Sequence, residues 1–331
     1  MRVLAATDKF RGTASAAEVA ASVARAVKEL GGECDQAPVA DGGEGTLAAL
    51  GGPTRSTLVM GPLGDPVDAP WRLRRGTAVI EMALASGLAL IGGPEDNDPM
   101  AATSHGTGEL IAAALDAGAR RIIVGMGGSA TTDGGLGAVR GVWGAGRLRS
   151  VELIAACDVR TTFVDAARVF APQKGATPAQ VALLTRRLER LVDVYREDFG
   201  VDVAPLVSGG AAGGLAGGLA AVGGELVSGF ELVADELGLI ERIEAADVVV
   251  TGEGFLDEES FDGKVVGGVL SLAGRAGRPV LAVVGEVLDG VETPAGLRVI
   301  SLVERCGRDA ALKHTAEAIE DVVRAGLAEL G

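Results

Sequence analysis

The chain has 331 residues, 48% of them hydrophobic, which is enough for packed cores and suggests two domains of ordinary size. Its formal charge of −15, with no offsetting basic cluster, argues against binding nucleic acid or an anionic membrane. The 51 glycines follow no triplet period, which excludes collagen, and the scattered Cys34, Cys157 and Cys306 argue against a disulfide scaffold or structural zinc site.

The N-terminus opens on a strand-like run, Val3–Thr7, too short and too polar at its end for a signal peptide. Asp8, Lys9 and Arg11 follow it. Ser15–Leu30 reads as a helix with Val19, Val23 and Val27 on one face, and Ser15 with Glu18 three residues on forms a capping box. Asp41 follows a short strand in the turn Asp41-Gly42-Gly43-Glu44, with Glu44 placed to cap the next helix. Ala78–Met82 is the next strand. Leu84–Ile91 is among the longest apolar stretches and falls well short of a membrane span. Gly106–Ala117 reads as a helix and Arg121–Gly125 as a strand, which runs into Gly127-Gly128-Ser129-Ala130-Thr131-Thr132-Asp133-Gly134-Gly135. Glu152–Cys157 is a strand that delivers Asp158. Lys174 precedes a helix over Pro178–Phe199. Residues 208–219 read as a glycine-rich loop entering a closely packed small-residue helix. The remaining strands are Asp247–Thr251, Val280–Gly285 and Val299–Val303, and the remaining helices Asp262–Gly274 and Ala310–Leu330.

Strands alternating with helices predict an α/β protein with a mainly parallel sheet. Such sheets bind ligands at the carboxyl ends of their strands. Asp8, Asp133, Asp158 and Glu253 all fall at predicted strand ends, which predicts one shared site. The glycines around Ser129, Thr131 and Asp133 let backbone N–H groups approach an anion, so a phosphate-handling enzyme is the leading reading. The chain has no Gly-x-x-x-x-Gly-Lys-Ser/Thr loop and no His-Arg-Asp signature.

Each candidate has a plainer alternative. Lys9 and Arg11 clamp a carboxylate or phosphate, or are solvated charges at a helix start. Asp41 closes a turn, or contacts a ligand. Ser129, Thr131 and Asp133 hold a ligand, or cap a helix. Asp158 accepts a proton from a substrate hydroxyl, or is an N-cap. Lys174 balances phosphate charge, or is an exposed turn lysine. Glu253 and Asp257 frame a last loop with Lys264, or cap helices. Cys157 reads as a small core residue, and His105 and His314 as surface or packed side chains.

Taken in order, several motifs resemble the bacterial two-domain glycerate kinase family (glycerate kinase type 1). They are Thr7-Asp8-Lys9-Phe10-Arg11-Gly12, Val39-Ala40-Asp41-Gly42-Gly43-Glu44-Gly45-Thr46, Glu81–Leu88 and Thr107–Ile111. Gly127–Gly135, Ala156–Val159, Val169–Ala176, Gly210–Gly214 and Thr251–Gly254 with Leu256-Asp257, Ser260 and Gly263-Lys264 complete the set. The resemblance implies ATP-dependent phosphorylation of D-glycerate with magnesium, at the 2- or the 3-position, and the scattered cysteines fit a reducing cytoplasm. It implies a Rossmann-like parallel-sheet domain over 1–55 and 240–331, a second α/β domain inserted over 56–239, and a site between them closed by domain motion. Lys9, Arg11, Asp41, Asp133, Asp158 and Lys174 would then be catalytic, with Asp158 or Asp41 as base. Gly127, Gly128, Ser129, Thr131, Gly209, Gly210, Gly213, Gly252 and Glu253 would cradle the nucleotide, and Asp41 and Asp257 would hold magnesium. Glycerate and ATP would be the small-molecule partners, with self-association left open. Phe255 stands where the family has Arg, and only Leu136–Val151 bridges to the next strand. The alternatives are a kinase of another hydroxy acid and a binding or regulatory paralogue.

Overall fold

The computed structural model describes residues 1–142, 144–261, 263–294 and 297–329. Among them eleven strands occur in chain order: β1 (Arg2–Ala5), β2 (Glu33–Gln36), β3 (Arg55–Met60), β4 (Pro66–Arg74), β5 (Thr77–Glu81), β6 (Arg121–Gly125), β7 (Glu152–Cys157), β8 (Glu225–Ser228), β9 (Val248–Leu256), β10 (Val280–Val287) and β11 (Arg298–Ser301). The chain divides into a terminal unit, Met1–Asp41 with Phe230–Gly331, and a central unit, Gly42–Gly229.

The terminal unit holds a five-stranded sheet in the order β2-β1-β9-β10-β11, all pairs parallel. Its inner strands are near-continuous apolar runs, Val248–Val250 and Val280–Val284 among them, because both faces are covered. The helices Ala16–Glu29 and Thr315–Ala328 close one face with Val19, Val23, Ile319 and Val323. The predicted capping box is present, with Ser15 and Glu18 exchanging hydrogen bonds. The strand order reverses between β1 and β9, the position where doubly wound sheets open a crevice.

Three expectations in this unit need correction. The predicted helix Ala310–Leu330 is two helices, Arg308–Lys313 and Thr315–Ala328, broken at His314 with φ −128° and ψ 43°. Thr315 sits at the break and its hydroxyl donates to the Ala311 carbonyl instead of extending the pattern; Leu330 lies outside the described residues. The helix predicted from Asp262 begins at Val265, after a 3₁₀ turn Glu258–Phe261, and Asp262 also lies outside the described residues. The strand predicted over Val299–Val303 ends at Ser301, whose hydroxyl accepts from Glu304 N–H and starts the helix Leu302–Cys306.

The central unit holds a six-stranded mixed sheet, β3-β4-β5-β6-β7-β8. Strands β5 to β8 are parallel, as expected, whereas β3–β4 and β4–β5 are antiparallel. The hairpin escapes the sequence pattern because the edge strand β3 is mostly exposed and β4 beside it carries charges, Pro66 and Pro70. The helix Pro178–Phe199 has its predicted bounds: a Thr177/Gln180 capping box and Pro178 start it, and left-handed Gly200 ends it. The helix Ala211–Ala221 is almost wholly buried and kinks at Ala212, Gly213 and Gly214, with φ of 52°, 69° and 90°. Among the described residues no helix is long and apolar enough to cross a membrane.

Candidate active site

In the terminal unit the exit of β1 is stitched to β9: Ala6 N–H donates to the Val250 carbonyl and Asp8 N–H to the Gly252 carbonyl at 2.9 Å. A side chain at Gly252 would overlap the Val283 carbonyl of β10, so glycine there is a packing requirement of the sheet. Asp8 is nearly buried. Burial pushes its carboxyl up to about 6, a rise that Lys9 opposes and Asp41 adds to. Its Oδ1 accepts from Lys9 N–H at 2.7 Å, and Lys9 Nζ lies 3.8 Å away. Arg11 is exposed and exerts a weaker pull on Asp8.

Glu253 was expected after its strand and instead lies inside β9, which runs on to Leu256. Burial pushes its carboxyl up to about 7, against a hydrogen bond from Ser260 and with a further rise from Asp8. Its Oε1 is buried with no hydrogen-bond partner among the described residues. The structure therefore gathers Asp8, Lys9, Arg11, Asp41 and Glu253 at the β1/β9 switch point. Asp257 is otherwise engaged: its Oδ1 accepts from the Ser260 N–H at 2.8 Å and hydroxyl at 3.0 Å, and Lys264 Nζ lies 3.8 Å off. That is the capping geometry of a 3₁₀ turn.

In the central unit the loop after β6 is built around Lys174. Its ammonium is buried and donates to Ser129 Oγ at 2.7 Å and the Thr131 carbonyl at 2.6 Å. The exposed-lysine reading is therefore wrong: the turn Pro172–Lys174 folds inward because these two acceptors take up the hydrogen bonds of its amino group. Burial pushes Lys174 down to about 7, against the pull of Asp133. Asn97, which the sequence did not single out, donates from Nδ2 to the carbonyls of Lys174 (2.8 Å) and Ala130 (3.1 Å), tying the two segments together. The hydroxyls of Thr131 and Thr132 are buried without hydrogen-bond partners among the described residues.

Asp133 organises the same loop. Its carboxylate accepts from Ser104 N–H and Oγ, both at 2.8 Å, and from the N–H groups of Gly135 (3.1 Å) and Gly137 (3.2 Å), at the start of the helix Leu136–Gly141. Tyr195 adds a hydrogen bond to the Gly134 carbonyl at 2.8 Å. Asp158 Oδ1 accepts from Gly229 N–H at 3.0 Å. Glu81 caps the helix Thr46–Ala49, accepting from Gly45 and Leu47 N–H. Burial pushes the Cys157 thiol up to about 12, with Asp158 adding to the rise, so Cys157 is a core residue.

The glycines expected to cradle a nucleotide press on the protein's own backbone. A Cβ on Gly127 would fall 2.6 Å from Gly43 Cα, one on Gly209 3.0 Å from the Leu206 carbonyl, and one on Gly210 would overlap the Thr162 carbonyl. Gly213 would overlap the Thr131 carbonyl, and Gly128 requires glycine for its φ of +70°. Of these, Gly213 is the one that lets the 208–214 segment lie against the 127–135 loop, and Gly127, Gly209 and Gly210 pack on residues 43, 206 and 162.

Asp8, Asp133, Asp158 and Glu253 thus belong to two sheets, the first and last to one and the middle two to the other. Among the described residues no group of three or more Asp, Glu, His or Cys could hold a metal ion. Magnesium needs less: it keeps its waters and takes one or two carboxylates alongside substrate phosphates. The mutually repelling Asp8 and Asp41 and the unpartnered Glu253 Oε1 fit that demand, and Asp257, turned onto Ser260, fits it less well.

The profile described as the glycerate kinase family matches residues 3–145 and 143–329. A protein of Escherichia coli K12 called glycerate 2-kinase is 39% identical, over 88% of this chain and 87% of its own. A Bacillus subtilis 168 protein called glycerate kinase is 36% identical over 87% and 85%. A crystal structure from Salmonella typhimurium LT2, designated glycerate kinase 2, superposes with a TM-score of 0.84 at 36% identity, covering 100% of this chain and 98% of that one.

Proposed function

The chain belongs to the glycerate kinase family, and we propose that it transfers the γ-phosphoryl group of ATP to the 2-hydroxyl of D-glycerate with magnesium present. The observation that carries the reading is the acid cluster at the β1/β9 switch point in a chain that matches the family from end to end. Phosphoryl transfer asks a protein mainly for positioning and charge neutralisation, and the groups present supply both. Lys9 and Arg11 hold the glycerate carboxylate. Asp8, Asp41 and Glu253 are the carboxylates that would hold magnesium, directly or through water, and the ion would neutralise phosphate charge. Asp158, one oxygen fixed by Gly229 N–H, is the central unit's candidate proton acceptor. Lys174 and Asp133 keep the 127–135 loop in the conformation whose backbone N–H groups receive phosphate oxygens. The three unpaired cysteines support a reducing, cytoplasmic setting.

The test is ADP release from ATP with and without D-glycerate, with and without magnesium, followed by phosphorus NMR of the product. Release that requires D-glycerate and magnesium and yields the 2-phosphate supports the reading. A 3-phosphate product sinks the regiochemistry, and release indifferent to D-glycerate sinks the acceptor.

A further inference from the structure

A cavity of about 650 Å³ opens in the central unit beside the helix Pro178–Phe199, away from the groups given roles above except at its floor. Leu183, Arg187, Arg190, Leu191 and Val194 face it, at positions i, i+4, i+7, i+8 and i+11 of one helix face. Leu184 and Leu191 are buried in its wall, whereas Leu183 is 45% exposed at its mouth. Thr132 and Asp133 form part of the floor.

The charge at the cleft is all of one sign apart from its floor. Arg186, Arg187 and Arg190 all line the cavity, and none forms an ion pair among the described residues, although the chain carries a net charge of −15. Arg187 donates only to the Met100 carbonyl at 2.8 Å, and Arg186 only to the Ala182 carbonyl at 3.3 Å. The cavity's one carboxylate, Asp133, is already occupied by five N–H and O–H donors. Some arginines of this acidic protein are held by carboxylates, Arg242 by Asp35 and Arg308 by Glu286, whereas the three at the cleft are not. An apolar cleft within the size range of small-molecule sites, edged by three uncompensated guanidiniums, has the chemistry of an anion receptor with an apolar floor.

We propose that this cleft is a second ligand site, for a small amphipathic anion with an apolar body and one carboxylate or phosphate. The apolar body lies on Leu184, Leu191 and Val194, and the anionic end meets Arg186 and Arg190. Because Asp133 shares the floor, an occupant sits against the residue that fixes the 127–135 loop, which makes the cleft a place for an effector.

Two fluorescent probes of nearly the same shape test this on the full chain: 8-anilinonaphthalene-1-sulfonate, an anion, and N-phenyl-1-naphthylamine, its neutral counterpart. The expected result is one saturable site for the anionic probe. Its affinity falls about tenfold or more in the Arg186→Gln/Arg190→Gln variant and in Leu183→Asp, while the neutral probe changes less than about twofold. These three positions are exposed, so unchanged melting curves certify the fold. Octanoate or octyl phosphate displaces the anionic probe, and whichever does so more strongly identifies the head group. Absence of a saturable site, equal loss of both probes, or indifference to the arginines overturns the proposal. Competitive displacement by magnesium-ATP also overturns it, since the cleft would then be the nucleotide's own site. None of these outcomes depends on glycerate turnover, so failure here and failure of the kinase assignment are separable.

Discussion

Replacing Lys174 by methionine keeps the length of the side chain and removes its charge and its donors. In the wild type, burial takes the ammonium from 10.5 down to about 7. Holding the protonated form in the folded state therefore costs of the order of 5 kcal/mol relative to the unfolded chain. Below pH 7 both states bind the proton and the whole cost is carried. Between pH 7 and 10.5 the unfolded chain binds it and the folded chain does not, so stability rises with pH by about 1.4 kcal/mol per unit. Neutral Lys174 still donates to Ser129 and Thr131, and methionine strands both acceptors at about 1–3 kcal/mol each. The stability of wild type minus that of Lys174→Met should thus climb by about 2–3 kcal/mol from pH 7.5 to 9.5, with wild type ahead at the upper end. Urea unfolding followed by tryptophan fluorescence reads it, since Trp71 is buried in the central unit that carries Lys174. A difference that stays flat or falls over that range refutes a buried, neutralised Lys174.

Asp133→Ala strips the acceptor from Ser104, Gly135 and Gly137, and should cost about 3–5 kcal/mol, seen as a fall of about 10 °C in Tm by calorimetry. Gly213→Ala should leave no folded protein in the soluble fraction, because its methyl overlaps the Thr131 carbonyl at a φ of +69°. Gly12→Ala, at φ +80° with open space around it, should cost only about 1 kcal/mol by the same denaturant titration. Asp8 and Glu253 hold protons more tightly when folded, up to about 6 and about 7, so stability falls as pH rises from about 4 to about 7, and Glu253→Gln should remove about 3 kcal/mol of that decline.

The α/β class, the buried parallel strands and the helices at Ser15 and Pro178 were legible because their signals are local: apolar runs bounded by glycine, and capping boxes within four residues. The family, too, could be read from motif order alone, since Asp8-Lys9-Phe10, Asp41-Gly42-Gly43 and Gly127–Gly135 are contiguous in the chain. The hairpin β3–β4 was not legible, because β3 is a mostly exposed edge strand and Pro66, Pro70 and several charges interrupt the pattern of β4. Nor was the inward turn of Lys174, the tie made by Asn97, or the capping of Gly45 and Leu47 by Glu81 from more than thirty residues away. Those depend on which backbone groups are left without partners once two distant segments pack. A sequence names the donors and acceptors within a few residues of each other; only the folded chain decides which distant ones are buried together, and there burial turns a lysine into a neutral hydrogen-bond donor and a carboxylate into an acid near neutrality.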